Sequence, residues 1–197
     1  MNWANERVAL VYGGVGSEAN VSRDGKDTVA AAMRDLGVNP IEIDIKDGLV
    51  EPLMAANPTR VFNLVHGRPG EDGVLQGLLC ALGIPFTGSG VAASALALDK
   101  PRAKQVWESL GLPTAPMVVV NDLEQADICV KRLGPELFVK PAHEGSSVGA
   151  HVVHGGDQLK AALIDALKHD TRVLVEPLLP GPEFTVGVVR GLALPVI

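Results

Sequence analysis

Val8-Ala9-Leu10-Val11-Tyr12-Gly13-Gly14-Val15-Gly16-Ser17-Glu18 decides how the chain begins. An uninterrupted apolar run reads as a strand covered on both faces, since a half-exposed strand would alternate. The glycines then turn the chain into a segment with Val29, Met33 and Leu36 at helical spacing, ended by Gly37. Ile41-Glu42-Ile43-Asp44-Ile45 alternates, as a half-exposed strand does, and Val61-Phe62-Asn63-Leu64-Val65 reads as another buried strand. A glycine-rich loop, His66 to Gly73, leads to a helix face of Val74, Leu75, Leu78, Leu79 and Leu82 that stops at Gly83. Ile84-Pro85-Phe86-Thr87 follows as a short strand, and Gly88-Ser89-Gly90 starts a further helix. Strands alternating with helices imply βαβ units around a parallel sheet, with ligands beyond the carboxyl ends of the strands. The loops after Tyr12 and Val65 lie at that edge, and they carry Glu18 and His66.

The pattern changes near Lys100. A helix over Pro101–Leu110 ends at Gly111, and Met117-Val118-Val119-Val120 reads as a strand. Asn121 or Asp122 is placed to cap a helix running to Leu133. Leu137 to Lys140, Ala150 to Val153 and Arg172 to Glu176 are strand-like, and Asp157 is placed to cap a helix bearing Leu159, Leu163 and Leu167. Glu183–Val189 and Leu192–Ile197 then read as a hairpin around Arg190-Gly191. The expected class is α/β: a parallel-sheet domain over 1–98, a small α+β unit over 99–180, and the start of a third domain over 181–197. Two strands without a covering element make a poor core, so the sequence is expected to stop short of the fold it begins.

With 47% hydrophobic and 20% charged residues in 197, the chain has material for a packed core rather than for disorder. The net charge of −6, the absence of a Lys/Arg run and an aromatic content of 4% speak against nucleic acid as a partner. No apolar run approaches the ~20 residues that span a bilayer, so no membrane partner is expected. The polar start Met1-Asn2-Trp3-Ala4-Asn5-Glu6-Arg7 lacks the apolar core of a secretory signal. Cys80 and Cys129 lack metal spacing and read as two free, buried thiols in a reducing compartment.

Three loops carry candidate chemistry. Gly14-Val15-Gly16-Ser17-Glu18-Ala19 fits a dinucleotide fingerprint with Asp44 as the ribose acid. The spacing to Asp44 is long, however, and Glu18 would repel a pyrophosphate, so a carboxylate here suits an ammonium ligand better. In the second loop, Glu71 and Asp72 read as favourable charges at a helix start, Arg68 as their ion-pair partner, and His66 as the functional candidate. In the third, Lys140 closes a buried strand, where its ammonium needs a counter-charge that a phosphate can supply. Glu144-Gly145-Ser146-Ser147-Val148-Gly149 adds backbone N–H groups and two hydroxyls, the makings of an anion-binding turn. Glu176 precedes the stiff connector Pro177-Leu178-Leu179-Pro180, which suits an adenine ring, and Glu183 is placed for ribose hydroxyls.

Taken in order, these loops resemble D-alanine–D-alanine ligases of the ATP-grasp superfamily. The resemblance rests on Gly13-Gly14…Glu18…Val21-Ser22, His66-Gly67…Gly70-Glu71-Asp72-Gly73, Thr87-Gly88-Ser89-Gly90 and Ala97-Leu98-Asp99-Lys100. It continues through Val139-Lys140-Pro141, Glu144-Gly145-Ser146-Ser147-Val148-Gly149 and Gly181-Pro182-Glu183-Phe184-Thr185-Val186. It implies a Rossmann-like pre-ATP-grasp domain, an ATP-grasp subdomain and a shortened third domain. The implied reaction joins two D-alanines for peptidoglycan through an acyl phosphate formed from ATP, in the cytoplasm, in a homodimer. The resemblance implies that Glu18 and Ser146 act catalytically, Glu18 holding the first ammonium and Ser146 linked to it, with Val21 and His66 lining the D-alanine pocket. It implies ATP contacts from Lys100, Lys140, Ser147, Glu176, Leu179 and Glu183, and it places the Mg²⁺ ligands beyond Ile197. A non-catalytic binding or dimerisation module, and a ligase taking a D-hydroxy acid, are the alternative readings.

Overall fold

The computed structural model describes residues 3, 6–14, 18–189 and 191–197. Val15, Gly16 and Ser17 of the first glycine turn, most of the polar start, and Arg190 at the tip of the expected hairpin lie outside those residues.

The first half is built on a parallel sheet in the order β2-β1-β3, with β1 Val8–Tyr12, β2 Ile41–Asp44 and β3 Arg60–Asn63. β1 shows why the uninterrupted apolar run is needed. Ala9 and Val11 point into one core, with Ile43, Val61, Leu53, Leu75 and Leu79. Val8 and Leu10 point into another, with Ala30, Met33 and Val38. Helix α1 (Ala19–Asp35) covers the second face, and α2 (Val50–Ala56) and α3 (Val74–Ala81) cover the first. Helix α4 (Val91–Leu98) leads directly into α5 (Lys100–Ser109), which Asp99 caps by accepting from the Arg102 amide.

The second half is an antiparallel sheet in the order β4-β7-β5-β6: β4 Val118–Val120, β5 Glu136–Pro141, β6 His151–His154 and β7 Val173–Pro177. One face is a dry core in which Val120, Leu137, Val139, Val153, Val173 and Val175 pack against helices α6 (Ala126–Leu133) and α7 (Gly156–Ala166). The opposite face carries Phe138, Lys140 and Glu176, because Phe138 stands opposite Glu176 and Lys140 opposite Leu174 in the ladder. Side chains alternate across a strand, so the pairing that buries Val139 and Val175 turns these polar groups toward α5.

Several expectations are corrected. The strand at 84–87 reduces to a single parallel bridge between Val61 and Phe86, and the strand at 61–65 runs over Arg60–Asn63. Ile45 begins a 3₁₀ turn rather than ending β2. Helix α2 has no counterpart in the sequence reading because Pro52 masks it. Proline is tolerated there because the N–H groups of a first helical turn have no intrahelical acceptor. Asp122 caps only the 3₁₀ turn Leu123–Gln125, and Asp157 sits inside the first turn of α7, whose N-cap is Gly155. The C-terminal hairpin is confined to β8 (Val188–Val189) and β9 (Leu192–Ala193). Cys129 is buried but Cys80 is exposed, since it falls on the outer side of α3 while Leu75 and Leu79 face the core.

Candidate functional site

Glu18 stands at the start of α1, buried to 7% exposure, and its side chain caps nothing. A buried carboxylate needs donors. One comes from the other half of the chain, where the Ser146 hydroxyl donates to Glu18 Oε1. Two glycine turns press against the same carboxylate. A Cβ on Gly145 would lie 2.8 Å from Glu18 Oε2, and one on Gly67 would lie 3.3 Å from it. Ser22, in the first turns of α1, ties the chain after β1 to the chain after β3, accepting from the Gly13 amide at 2.8 Å and donating to the Leu64 carbonyl at 2.6 Å. Asp44 is not free for a ribose, because Arg23 pairs with it at 3.0 Å. In the second loop Asp72 accepts from the Val74 amide at 3.0 Å and pairs with Arg68 at 3.2 Å. Glu71 and His66 line a polar hollow with Gln76 and Ser89.

The glycine–serine loop begins where β5 ends. Ser146 and Ser147 adopt positive φ angles of 46° and 60°, and Val148 donates to the Gly145 carbonyl at 3.0 Å. Successive amides in such a turn point inward and favour an anion. At its base the Lys100 ammonium donates to the carbonyls of Ala142, at 3.4 Å, and Glu144. Burial, and then the charge of Lys140, push the Lys100 pKa down, while Glu144, Asp170 and Glu18 pull it back up. An ammonium so placed gains from an anionic ligand.

Between α5 and the polar face of the second sheet lies a cleft of 630 Å³. Lys100, Lys104 and Trp107 line one wall, Phe138, Lys140 and Glu176 the other, and Leu179 and Glu183 the rim. Lys100, Lys104 and Trp107 are four and three residues apart, so one stripe of α5 faces the cleft. Glu176 is the electrostatic hinge of this wall. One carboxylate oxygen pairs with Lys104, and the other pairs with Lys140 at 2.6 Å. Burial pushes its pKa up, but the hydrogen bonds from the two lysines outweigh it and hold the carboxyl below its ordinary value. Lys104, 4% exposed, also donates to the Thr114 hydroxyl at 2.7 Å.

The structure thus brings together Glu18 with Ser146, and Lys100, Lys140, Glu176, Leu179 and Glu183 around one cleft. Val21 lies one turn along α1 from Glu18 and is 52% exposed. The counter-charge expected of a phosphate at Lys140 is already supplied in part by Glu176, whose carboxylate is therefore occupied. Lys104 and Trp107 escaped the sequence reading, although their helical stripe with Lys100 was visible there. Among the described residues no three His, Cys, Asp or Glu side chains gather as a metal site would require.

This arrangement has close counterparts. The profile of the family described as "D-ala D-ala ligase C-terminus" matches residues 106–195. A D-alanine–D-alanine ligase of Pseudomonas entomophila (strain L48) is 49% identical over 191 residues, covering 97% of this chain and 60% of that protein. The ligase of Glaesserella parasuis serovar 5 (strain SH0165) is 47% identical over 199 residues, covering 100% of this chain and 66% of that protein. A crystal structure of D-alanine–D-alanine ligase from Bacillus anthracis superposes with a TM-score of 0.84 at 29% identity, covering 97% of this chain and 63% of that one. The same enzyme complexed with ATP gives a TM-score of 0.82 at 27% identity, covering 97% and 65%. The chain therefore spans about three-fifths to two-thirds of the length of these relatives. Identity near one half along essentially its whole length, carried on a fold shared with solved ligases, makes the chain similar to D-alanine–D-alanine ligases over about three-fifths to two-thirds of their length.

Proposed function

We propose that the chain supplies the ATP cleft and the first amino-acid subsite of an ADP-forming D-alanine–D-alanine ligase serving peptidoglycan synthesis. The observation that carries this reading is the glycine–serine loop. It ties the Glu18 carboxylate, through Ser146, to a cleft lined by Lys100 and Lys140. In this reading a carboxylate oxygen of the first D-alanine attacks the γ-phosphorus of ATP, and ADP leaves. The amine of the second D-alanine then attacks the acyl carbon, and inorganic phosphate leaves. Glu18 holds the first ammonium beside Val21 and His66, and Ser146 fixes the orientation of Glu18. Lys100, Lys140 and the amides around Ser147 bear the phosphate charge, in a site where preorganised donors are worth far more than in water. The adenine ring lies along Pro177–Leu179, read by backbone groups because the Glu176 carboxylate is committed to two lysines. Glu183, at the rim, faces the ribose.

Magnesium normally neutralises phosphates in such chemistry. Among the described residues no cluster of His, Cys, Asp or Glu makes a magnesium site. The domain limits 1–98, 99–180 and 181–197, a cytoplasmic location and a homodimer belong to the same proposal. The free thiols support the location, and an apolar hollow beside Phe62 and Phe86 offers a pairing surface. Titration calorimetry of the chain with ATP tests the reading. Saturable binding, weakened by Lys140→Met, is expected, and no binding by a folded chain refutes it.

A further inference from the structure

Behind the glycine–serine loop lies a cluster of charged side chains that the reaction does not use. His143 is the second residue beyond β5 and the second before Gly145. Its backbone amide and its Nδ1 both reach Asp170 Oδ2, at 2.9 and 2.7 Å. Its Nε2 lies 2.9 Å from an Arg172 guanidinium nitrogen and 3.3 Å from Asp99 Oδ2. The same guanidinium nitrogen donates to Asp99 at 2.7 Å. Arginine has only donors, so Nε2 must accept from it, which puts the ring proton on Nδ1, donating to Asp170. Both carboxylates are buried, with side chains 6% and 10% exposed. Burial pushes their pKa values up, but Arg172 and the hydrogen bonds around it hold both below the ordinary aspartate range.

Each member of the cluster stands next to a working part of the cleft. Asp99 caps α5 immediately before Lys100, whose amide donates to the Ala142 carbonyl at 3.1 Å. The Ala142 amide in turn donates to the Arg172 carbonyl at 3.0 Å. At its far end a Cβ on Gly149 would lie 2.6 Å from the His169 ring and 3.0 Å from Pro141, and His151, which opens β6, pairs with Asp165 at 2.9 Å. The tip is hooked to Glu18 by Ser146. A denser charged, hydrogen-bonded anchor stands at the base, centred on one imidazole.

We infer that His143 is the positioning residue of the phosphate loop: by bonding Asp170 and Arg172 at once, it fixes the base from which the loop reaches Glu18 and covers the nucleotide. The inference rests on the ligase reading for its effect on ATP, but not for its effect on the loop. A catalytic loop displaced by ~1 Å loses about a hundredfold in function, so a lost anchor registers strongly.

The test uses two readouts on the full chain and on His143→Leu and His143→Asn. The first is the rate at which a glutamate-specific protease cuts after Glu144, followed by mass spectrometry. When closing is fast, that rate follows the open population of the segment. The second is ATP affinity by calorimetry. His143→Leu is expected to raise the cleavage rate and to weaken ATP binding, each by roughly tenfold or more, while the melt stays cooperative. His143→Asn, which keeps a donor at the Nδ1 position but loses the acceptor for Arg172, is expected to fall between the parent and His143→Leu. Unchanged cleavage in His143→Leu overturns the inference, and so does His143→Asn cutting as fast as His143→Leu. Should His143→Leu not fold, Asp170→Asn keeps the shape, removes the charge and decides by the same criterion. If the parent chain fails to bind ATP while the cleavage rates differ as expected, the ligase reading falls and the anchor stands.

Discussion

Lys104→Met removes a buried ammonium from the wall of the cleft and leaves the side-chain volume nearly unchanged. The lysine has two partners, a Glu176 oxygen and the Thr114 hydroxyl. Breaking a buried ion pair by deleting one partner costs about 3–5 kcal/mol when the remaining charge is stranded. Glu176 is not stranded, because Lys140 stays 2.6 Å from its other oxygen, and the Lys140 side chain is 27% exposed. The expected loss is therefore about 2–3 kcal/mol, including the neutral bond to Thr114. Glu176→Gln takes away the charge that both lysines share and is expected to cost a similar amount, about 2–3 kcal/mol. The two changes remove the same interaction, so the double variant is expected to fall short of their sum by about 1–3 kcal/mol. Urea unfolding at neutral pH, followed by the fluorescence of Trp107 in the cleft, measures all three. Additivity within ~0.5 kcal/mol would show that Lys104 and Glu176 act independently, and the account of Glu176 as the shared counter-charge would fail.

Other consequences are simpler to read. Cys80 is exposed, whereas burial encloses Cys129 and pushes its thiol pKa up, so one thiol is expected to react rapidly with a disulfide reagent and the second only in denaturant. Two fast thiols would contradict the packing of α6. Asp99, Asp170 and Glu176 all have pKa values below their ordinary ones. A depressed carboxylate stabilises the fold above its unfolded pKa, about 3.9–4.3, and that stability is lost as pH falls through the folded value. The urea midpoint should thus change little between pH 7 and 5 on their account and drop below about pH 4, whereas a constant midpoint down to the folded-state values would refute the pairing. Phosphate beside Lys100 should restore the proton affinity that burial and Lys140 lower, so ATP binding at alkaline pH is expected to take up protons. Calorimetry in buffers of different ionisation enthalpy measures this, and proton release would reverse the sign of the argument. Gly145→Ala places a Cβ 2.8 Å from a Glu18 oxygen and is expected to cost about 1–3 kcal/mol by thermal melting, a cost that should shrink in Glu18→Ala.

What the sequence disclosed and what it withheld divide along a physical line. Glu18, Lys140 and the glycine–serine turn were legible because each sits in a short stretch whose local chemistry is unusual: a carboxylate after a glycine turn, a lysine closing an apolar strand. The parallel sheet was legible because β1 is apolar at every position from Val8 to Val11, which only a doubly covered strand tolerates. Glu176 was legible as an acid at a strand end but not as the partner of Lys104 and Lys140. That partnership depends on the antiparallel register of β5 with β7, which sets Phe138 opposite Glu176. A slip of one residue would turn Lys140 into the core. His143 and Asp170 were silent for the same reason, since 27 residues separate them and α7 intervenes. Pro52 hid α2 by the opposite mechanism, a local signal against helix that the first turn happens to tolerate.

The site has to meet opposite electrostatic demands within one small volume. In the proposed reading an amino acid brings an ammonium that wants an anion, and a nucleoside triphosphate brings phosphates that want cations. Placing Glu18 directly among Lys100, Lys104 and Lys140 would satisfy the residues with one another and leave nothing for the ligands. The chain separates them. Glu176 is spent as the internal counter-charge for Lys104 and Lys140, seated where the second sheet meets α5. Glu18 is kept at the start of α1, where it accepts from the neutral hydroxyl of Ser146 in the other half. A hydroxyl orients a carboxylate without adding a counter-charge to it. Lys100 is left with carbonyl acceptors, which hold an ammonium in place without cancelling it. The loop between β5 and β6 is thus the link that fixes the distance between the two charge fields. This is why its base, at His143, matters as much as its serines.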